Sequence, residues 1–475
     1  MKCSDVFRRL LQGFSLVCIL LAFSTQGAAL SGPSLEQRVA KLEAASAVSA
    51  PANGVNPGDN AWVMASAALV LMMTAPGLIL FYGGLVRRKN VLGTMMHSMA
   101  LMAIVSVLWM VYGYSMAFGE GNAYCGSLTQ YFMLKGVGAA PNPDYAPTVP
   151  HQSFMLFQMM FAIITPALIS GAIAERMRFK AYVLFMVLWV TFIYFPLCHM
   201  VWGKGGMFNW ALGGRYPVLD FAGGTVVHVS SGVSALVCAV VLGRRVGFPG
   251  EPMPPHNVVL SLIGTGLLWV GWFGFNAGSA VNAGALATSA FAATHFSAAA
   301  AALGWAGTEW LLKGKPSVLG VASGMVAGLA TITPASGFVT IPAAFAIGLT
   351  GGIVCYLAVT KLKSMFGYDD SLDVFGVHGV GSTTGLILLG LCANASVNGA
   401  IGNTFHSGGS VVSLAGSGLQ LANQARGVIF TMALAGAGTF IILKLVDAIV
   451  GLRVSPEEEH SGLDLTQHGE SAYND

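Results

Sequence analysis

Charge is what this sequence has least of. Only 9% of its 475 residues are Asp, Glu, Lys or Arg, against 55% hydrophobic, and the mean hydropathy is +0.70. Soluble chains carry about 25% charged residues, so a polytopic membrane protein is expected. A net charge of +3 is too small for the electrostatic footprint of a nucleic-acid binder. Metal and hydrolase signatures are missing too: the seven cysteines form no CxxC, and no HExxH or HxxxH spacing occurs. The chain therefore reads as a non-enzyme with no metal and no cofactor. Cys3 and Cys18 fall in the N-terminal leader and the other five cysteines are scattered. Cys125 and Cys198 could meet on the outer side, but no disulfide is assigned.

What is abundant is apolar sequence and glycine, 61 residues of it, as close helix packing in a membrane requires. Lys2, Arg8 and Arg9 precede a short apolar run, Phe14 to Phe23, and then the small residues Gly27, Ala28 and Ala29. Residues 1–29 read as a signal peptide, 30–57 as an extracytoplasmic extension with a short helix at 35–45, 58–452 as the membrane domain and 453–475 as a polar tail. Runs able to cross a bilayer occur at 61–86, 91–118, 152–174, 179–198, 218–242, 257–279, 284–311, 317–332, 340–361, 376–393 and 427–450. The fold class is all-α, with eleven spans of which the eighth is the shortest. Loops after odd-numbered spans hold thirteen Lys and Arg, against four after even-numbered spans. The positive-inside rule then puts the N-terminus outside and the C-terminus in the cytoplasm, as a cleaved signal peptide requires.

Eleven spans suggest five plus five plus one, with the second five inverted. The fifth span opens at Asp220 and carries His228; the tenth opens near Asp373 and carries His378. At 1.5 Å per residue, His228 lies roughly 12 Å below Asp220 and His378 roughly 8 Å beyond Asp373, so inversion brings the two imidazoles towards one midplane level. Intramembrane ionisable groups mark pathways. His97 and His295, by contrast, read as buried packing residues bonded to neighbouring carbonyls. Phe157 and Phe161 lie one turn apart near the outer end of the third span, Trp202 follows the fourth, and Trp272, Phe275 and Ser279 close the sixth. Singly these are belt or core residues; together they form an outward aromatic cup with a hydroxyl. Such a cup offers a cation roughly 0.5–2 kcal/mol per ring, while stripping a small ion bare costs on the order of tens of kcal/mol. A metal cation would stop there; a cation that can drop its proton, as ammonium can, would pass on as a neutral molecule.

Seven stretches resemble the Amt/Mep/Rh ammonium transporters, specifically the bacterial branch: FYGGLVRRKN (81–90), GAIAERMRF (171–179), HMVWG (199–203), DFAGGTVVH (220–228), GWFGFNAGSA (271–280), TPASG (333–337) and DVFGVHGV (373–380). The resemblance covers residues 58 to 475. It implies that Phe157, Trp202 and Ser279 recruit ammonium, that Phe161 and Phe275 close the pore, and that His228 and His378 line it as a pair sharing a proton. It implies that Asp220 orders the backbone around the recruitment site and supports deprotonation, with Trp272, Gln158 and Thr333 as weaker pore-wall positions and Asp370 near the inner mouth. It further implies a homotrimer with one pore per subunit in a bacterial inner membrane. The tail, with Glu457 to Glu459 and Asp464, is either a disordered end or a docking element for a PII-type signal protein. A passive ammonia or carbon dioxide channel, and a sensor acting through its tail, stand as alternatives to an electrogenic transporter.

Overall fold

The computed structural model describes residues 54–402, 404–405 and 411–473, and single positions between 34 and 39. The signal peptide lies outside the described residues. Of the helix expected at 35–45, Glu36, Arg38 and Val39 are described and are helical.

Among the described residues, ten helices are long and apolar enough to cross a membrane: α1 (Pro57–Leu85), α2 (Arg88–Phe118), α3 (His151–Ile173), α4 (Phe179–Trp202), α5 (Gly224–Leu242), α6 (Val258–Gly278), α7 (Ala285–Lys313), α9 (Ile341–Phe366), α10 (Phe375–Cys392) and α11 (Gly418–Val450). The eighth in chain order, α8 (Val318–Ile332), is apolar but has only 15 residues. Polar side chains set the helix starts. Asn56 accepts from Gly58 N and Asp59 N ahead of α1, Asn257 from Leu260 N ahead of α6, Ser317 from Gly320 N ahead of α8, and Ser417 from Gln420 N ahead of α11. Each satisfies backbone donors that the helix itself leaves open.

Helices α3 and α5 are the enclosed ones, with 89% and 78% of their apolar windows buried, against 33% for α11. Helices α5 and α10 cross at their glycines: a Cβ on Gly232 would stand 2.3 Å from Gly379 N. Two backbones therefore touch one residue past His378 and four past His228, which no side chain at position 232 would permit. Among the described residues six helical segments are wound as π-helix, and two of these, Gly224–Val229 and Phe375–Val380, open α5 and α10 and hold the two histidines. Wide π turns occur frequently at functional sites. The matched placement supports the five-plus-five relation.

On the face with the basic loops, Glu175 bonds Arg87 Nε at 2.7 Å and Arg245 Nη1 at 3.1 Å, and Asp369 bonds Arg245 Nη2 at 2.8 Å. Burial alone would raise both carboxyls; Arg245, with Arg87 at Glu175 and Arg176 at Asp369, holds them below the ordinary carboxylate range. The tail is ordered as α12 (Pro456–Ser461) and α13 (Leu463–His468). The expectation that its acids face a partner is not met by two of them. Glu459 is buried, pairing with Arg453 at 2.7 Å and accepting from Val246 N at 2.7 Å, while Asp464 accepts from Gly93 N at 2.8 Å. Glu458 completes a capping box with Ser455, which leaves Glu457 exposed.

His97 is buried against Tyr182, ring centroids 4.1 Å apart, and its Nδ1 has no partner among the described residues. His295 departs from the expected burial: it is exposed on α7, its ring 5.4 Å from that of Trp269. Cys125 and Cys198 are both free.

Candidate functional site

An outer vestibule of about 570 Å³ opens between α3, α4, α5 and α6, with Gln158, Phe161, Trp202, Asp220 and Ser279 in its wall. Helix α4 ends at Trp202, where Gly203 turns extended. Trp202 Nε1 donates to the Asp220 carbonyl at 3.0 Å, which fixes the indole plane. Ser279 Oγ donates to the Phe275 carbonyl at 2.8 Å, so the hydroxyl oxygen keeps its lone pairs for an incoming donor. Phe157 is fully buried and stands behind this wall. Its ring meets Phe161 edge-on at 5.0 Å, and one edge packs at Gly278.

The vestibule narrows at Phe161 and Phe275, whose ring centroids are 4.3 Å apart; Phe161 also meets Trp202 edge-on at 5.9 Å. Below lies a cavity of about 10 Å³ walled by Ile164, Leu168, Val227, Leu268, Trp272, Val326 and both histidines, room for about one water. None of its wall residues among those described is a carboxylate. His228 and His378 face each other Nδ1 to Nδ1 at 3.1 Å, rings tilted by 15°. At that separation one Nδ1 donates and the other accepts, so the pair holds one proton between them. His228 Nε2 has no partner among the described residues. Trp272 stacks on His228 at 5.5 Å and is held by its Nε1, which donates to Thr333 Oγ1 at 2.8 Å; Thr333 donates in turn to the Leu329 carbonyl. Thr333 thus acts behind the wall, Trp272 in it. A third cavity, about 200 Å³, continues past His378 and is bounded by Tyr82, Ser323, Ser371 and Asp373.

Asp220 is buried and caps α5. Its oxygens accept from Gly223 N at 2.8 Å, Gly224 N at 2.6 Å and Thr225 N at 2.8 Å, and from the Thr225 hydroxyl. Gly223 has φ +115°, a left-handed turn suited to glycine that lets the successive N–H groups of Gly223, Gly224, Thr225 and, at 3.4 Å, Val226 converge on one carboxylate. The sequence pairs Asp220 with Asp373; the structure offers Asp370 instead. Asp370 is buried eight residues before His378, as Asp220 is before His228, and accepts from Phe375 N at 2.7 Å. Asp373 lies at φ +61° and pairs with Lys363 at 2.7 Å. Tyr82, shared by the central and inner cavities, was marked in the sequence only by lying in FYGGLVRRKN. No group of three or more His, Cys, Asp or Glu among the described residues is placed to hold a metal.

This geometry can be set beside known proteins. The family model described as Ammonium Transporter Family matches residues 61–473. A protein named ammonium transporter from Bacillus subtilis (strain 168) is 49% identical over 419 residues, 88% of this chain and 99% of that protein. The crystal structure of Saccharomyces cerevisiae Mep2 superposes with a TM-score of 0.76 at 35% identity, covering 85% of this chain and 92% of that one. A structure titled Sensor Amt Protein gives a TM-score of 0.76 at 28% identity, covering 86% and 98%. The chain is a multi-pass membrane protein and belongs to the ammonium transporter family.

Proposed function

We propose that this chain carries ammonium inward across a bacterial inner membrane, its N-terminus outside and its tail in the cytoplasm. Ammonium is recruited in the vestibule by Trp202, Phe161 and the Ser279 hydroxyl, with Phe157 backing Phe161. It gives up its proton above the Phe161–Phe275 constriction, and ammonia passes the twin histidines. The observation that carries this reading is the sequence of spaces: a roomy aromatic cup, a closed pair of rings, then a one-water cavity without a carboxylate. An intact ion would meet there a desolvation cost on the order of tens of kcal/mol, which a cup worth roughly 0.5–2 kcal/mol per ring cannot offset. Ammonia meets no such cost. The proton crosses with the help of the histidine pair, so net transport is electrogenic. Residues 1–29 act as a cleaved signal peptide, and the protein works as a homotrimer with one pore per subunit.

Currents in proteoliposomes given an ammonium pulse test this. The unmutated protein should give a current, and His228→Ala should lose it or lose its selectivity for ammonium over sodium or potassium. Persistent internal alkalinisation without current would favour the passive gas channel. The sensor reading is favoured by one observation, the likeness to a structure titled Sensor Amt Protein. In it the tail signals through a PII-type protein docked at the cytoplasmic face, and uptake by a tail-deleted chain separates signalling from transport.

A further inference from the structure

Two carboxylates stand eight residues ahead of the two histidines, and they are bonded differently. Asp220 has both oxygens occupied, Oδ1 by Gly223 N and Gly224 N, Oδ2 by Thr225 N and the Thr225 hydroxyl. An oxygen that takes up a proton must give up donors, so Asp220 is held as an acceptor. Asp370 Oδ2 accepts from Phe375 N at 2.7 Å, while Oδ1 is buried with no partner among the described residues. A buried carboxylate oxygen without a donor is costly, and taking a proton relieves the charge. The adjacent ammonium does not donate to that oxygen: Lys363 Nζ donates to the main-chain oxygen of Asp370 at 2.6 Å and to Asp373 Oδ1 at 2.7 Å. The other titratable groups facing Asp370 are Asp373, Tyr82, Tyr368, Arg176 and Cys238. Burial raises the Asp370 carboxyl, Lys363 opposes, Asp373 adds, and the outcome is about 6.

Its position is equally specific. The three residues after it, Ser371 to Asp373, wall the inner cavity, which His378 also lines. Phe375, whose N–H Asp370 receives, is three residues from His378, roughly 5 Å of helical rise.

We propose that Asp370 is the proton acceptor on the inner side of the pore. The proton lost when an ammonium N–H breaks forms an N–H bond within the histidine pair. It passes through water of the inner cavity to form an O–H bond at Asp370 Oδ1, and is released to cytoplasmic water, restoring the carboxylate. The outer carboxylate fixes structure and the inner one carries the proton. This deepens the electrogenic reading and rests on it.

The test is Asp370→Asn in proteoliposomes, measuring ammonium-induced current and, separately, ammonia conductance by internal alkalinisation. Asparagine keeps an oxygen for Phe375 N, so the cap survives while the acceptor is lost. The ratio of charge to ammonia should fall about a hundredfold, the scale on which a positioned proton-transfer group acts. Current through the unmutated protein should decline as internal pH falls through about 6, because the acceptor is then already protonated. Asp370→Glu should restore current in part. An unchanged ratio in Asp370→Asn overturns the proposal. Loss of current and ammonia conductance in equal proportion also overturns it, and makes Asp370 a cap alone. No current from the unmutated protein refutes instead the electrogenic reading.

Discussion

Replacing Asp220 by alanine should destabilise the protein and abolish current together, and the structure sets the scale. The carboxylate receives four backbone N–H groups, those of Gly223, Gly224 and Thr225 and, at 3.4 Å, that of Val226, together with the Thr225 hydroxyl, all buried. Each buried donor left without an acceptor costs about 1–3 kcal/mol, so the three close backbone donors, those of Gly223, Gly224 and Thr225, amount to about 3–9 kcal/mol, an upper range since the loop can relax. That is comparable with the whole stability of many folded domains, about 5–15 kcal/mol. The loss falls on the turn that opens α5, and through the Asp220 carbonyl on Trp202, which loses its fixed orientation. Asp220→Asn keeps one acceptor oxygen but turns an amide N–H₂ towards the remaining donors, so it should lie between wild type and alanine. Thermal stability in detergent, read by size-exclusion fluorescence, and liposome currents should fall in the same order: wild type, Asn, Ala. An Asp220→Ala protein of wild-type stability that has lost only its current would refute this reasoning. It would show that the carboxylate acts on the ion directly.

Three further predictions concern packing and pH. Gly232→Ala places a methyl 2.3 Å from Gly379 N, and such overpacking costs about 1–3 kcal/mol; the displaced helices should part the histidines and end conduction. Gly266→Ala, where an added Cβ meets nothing within 4 Å, should leave both yield and uptake at wild-type levels. For the loop-face ion network, Glu175 and Asp369 are held below the ordinary carboxylate range by their arginines. Groups depressed in the folded state contribute stability above their unfolded pKa, about 4, and lose it as pH falls further through the folded value. The loop-face packing should therefore hold at neutral pH and loosen only in acid below about pH 4, read as protease access to the tail. Tail release between pH 5 and 7 would contradict this.

Most of the architecture was legible because it is written in long-range composition, and most of what was not turns on single contacts. The spans follow from apolar length, and the histidine pair from charge asymmetry and helix rise; the 3.1 Å contact is where that arithmetic ends. The π turns were invisible, because one extra residue per turn leaves an all-apolar pattern unchanged. Phe157 and Phe161 sit one turn apart on one helix face, so spacing cannot say which lines the vestibule. The approach of α6 at Gly278 decides it by leaving a gap that the Phe157 ring fills. The tail is polar in composition, yet Glu459 and Asp464 find partners within the chain at Val246 and Gly93, over two hundred and over three hundred residues away. The pairing of Asp220 with Asp373 gave way to Asp370 for a geometric reason. Counting from Asp373 assumes the helix begins at the last polar residue, but Asp373 is left-handed at φ +61° and the helix follows it. The reliable register is the eight-residue interval shared by Asp220–His228 and Asp370–His378. In an inverted pair of helices, equal intervals place equal groups at opposite ends of one path, and the difference in their hydrogen bonding is what lets one hold structure while the other takes a proton.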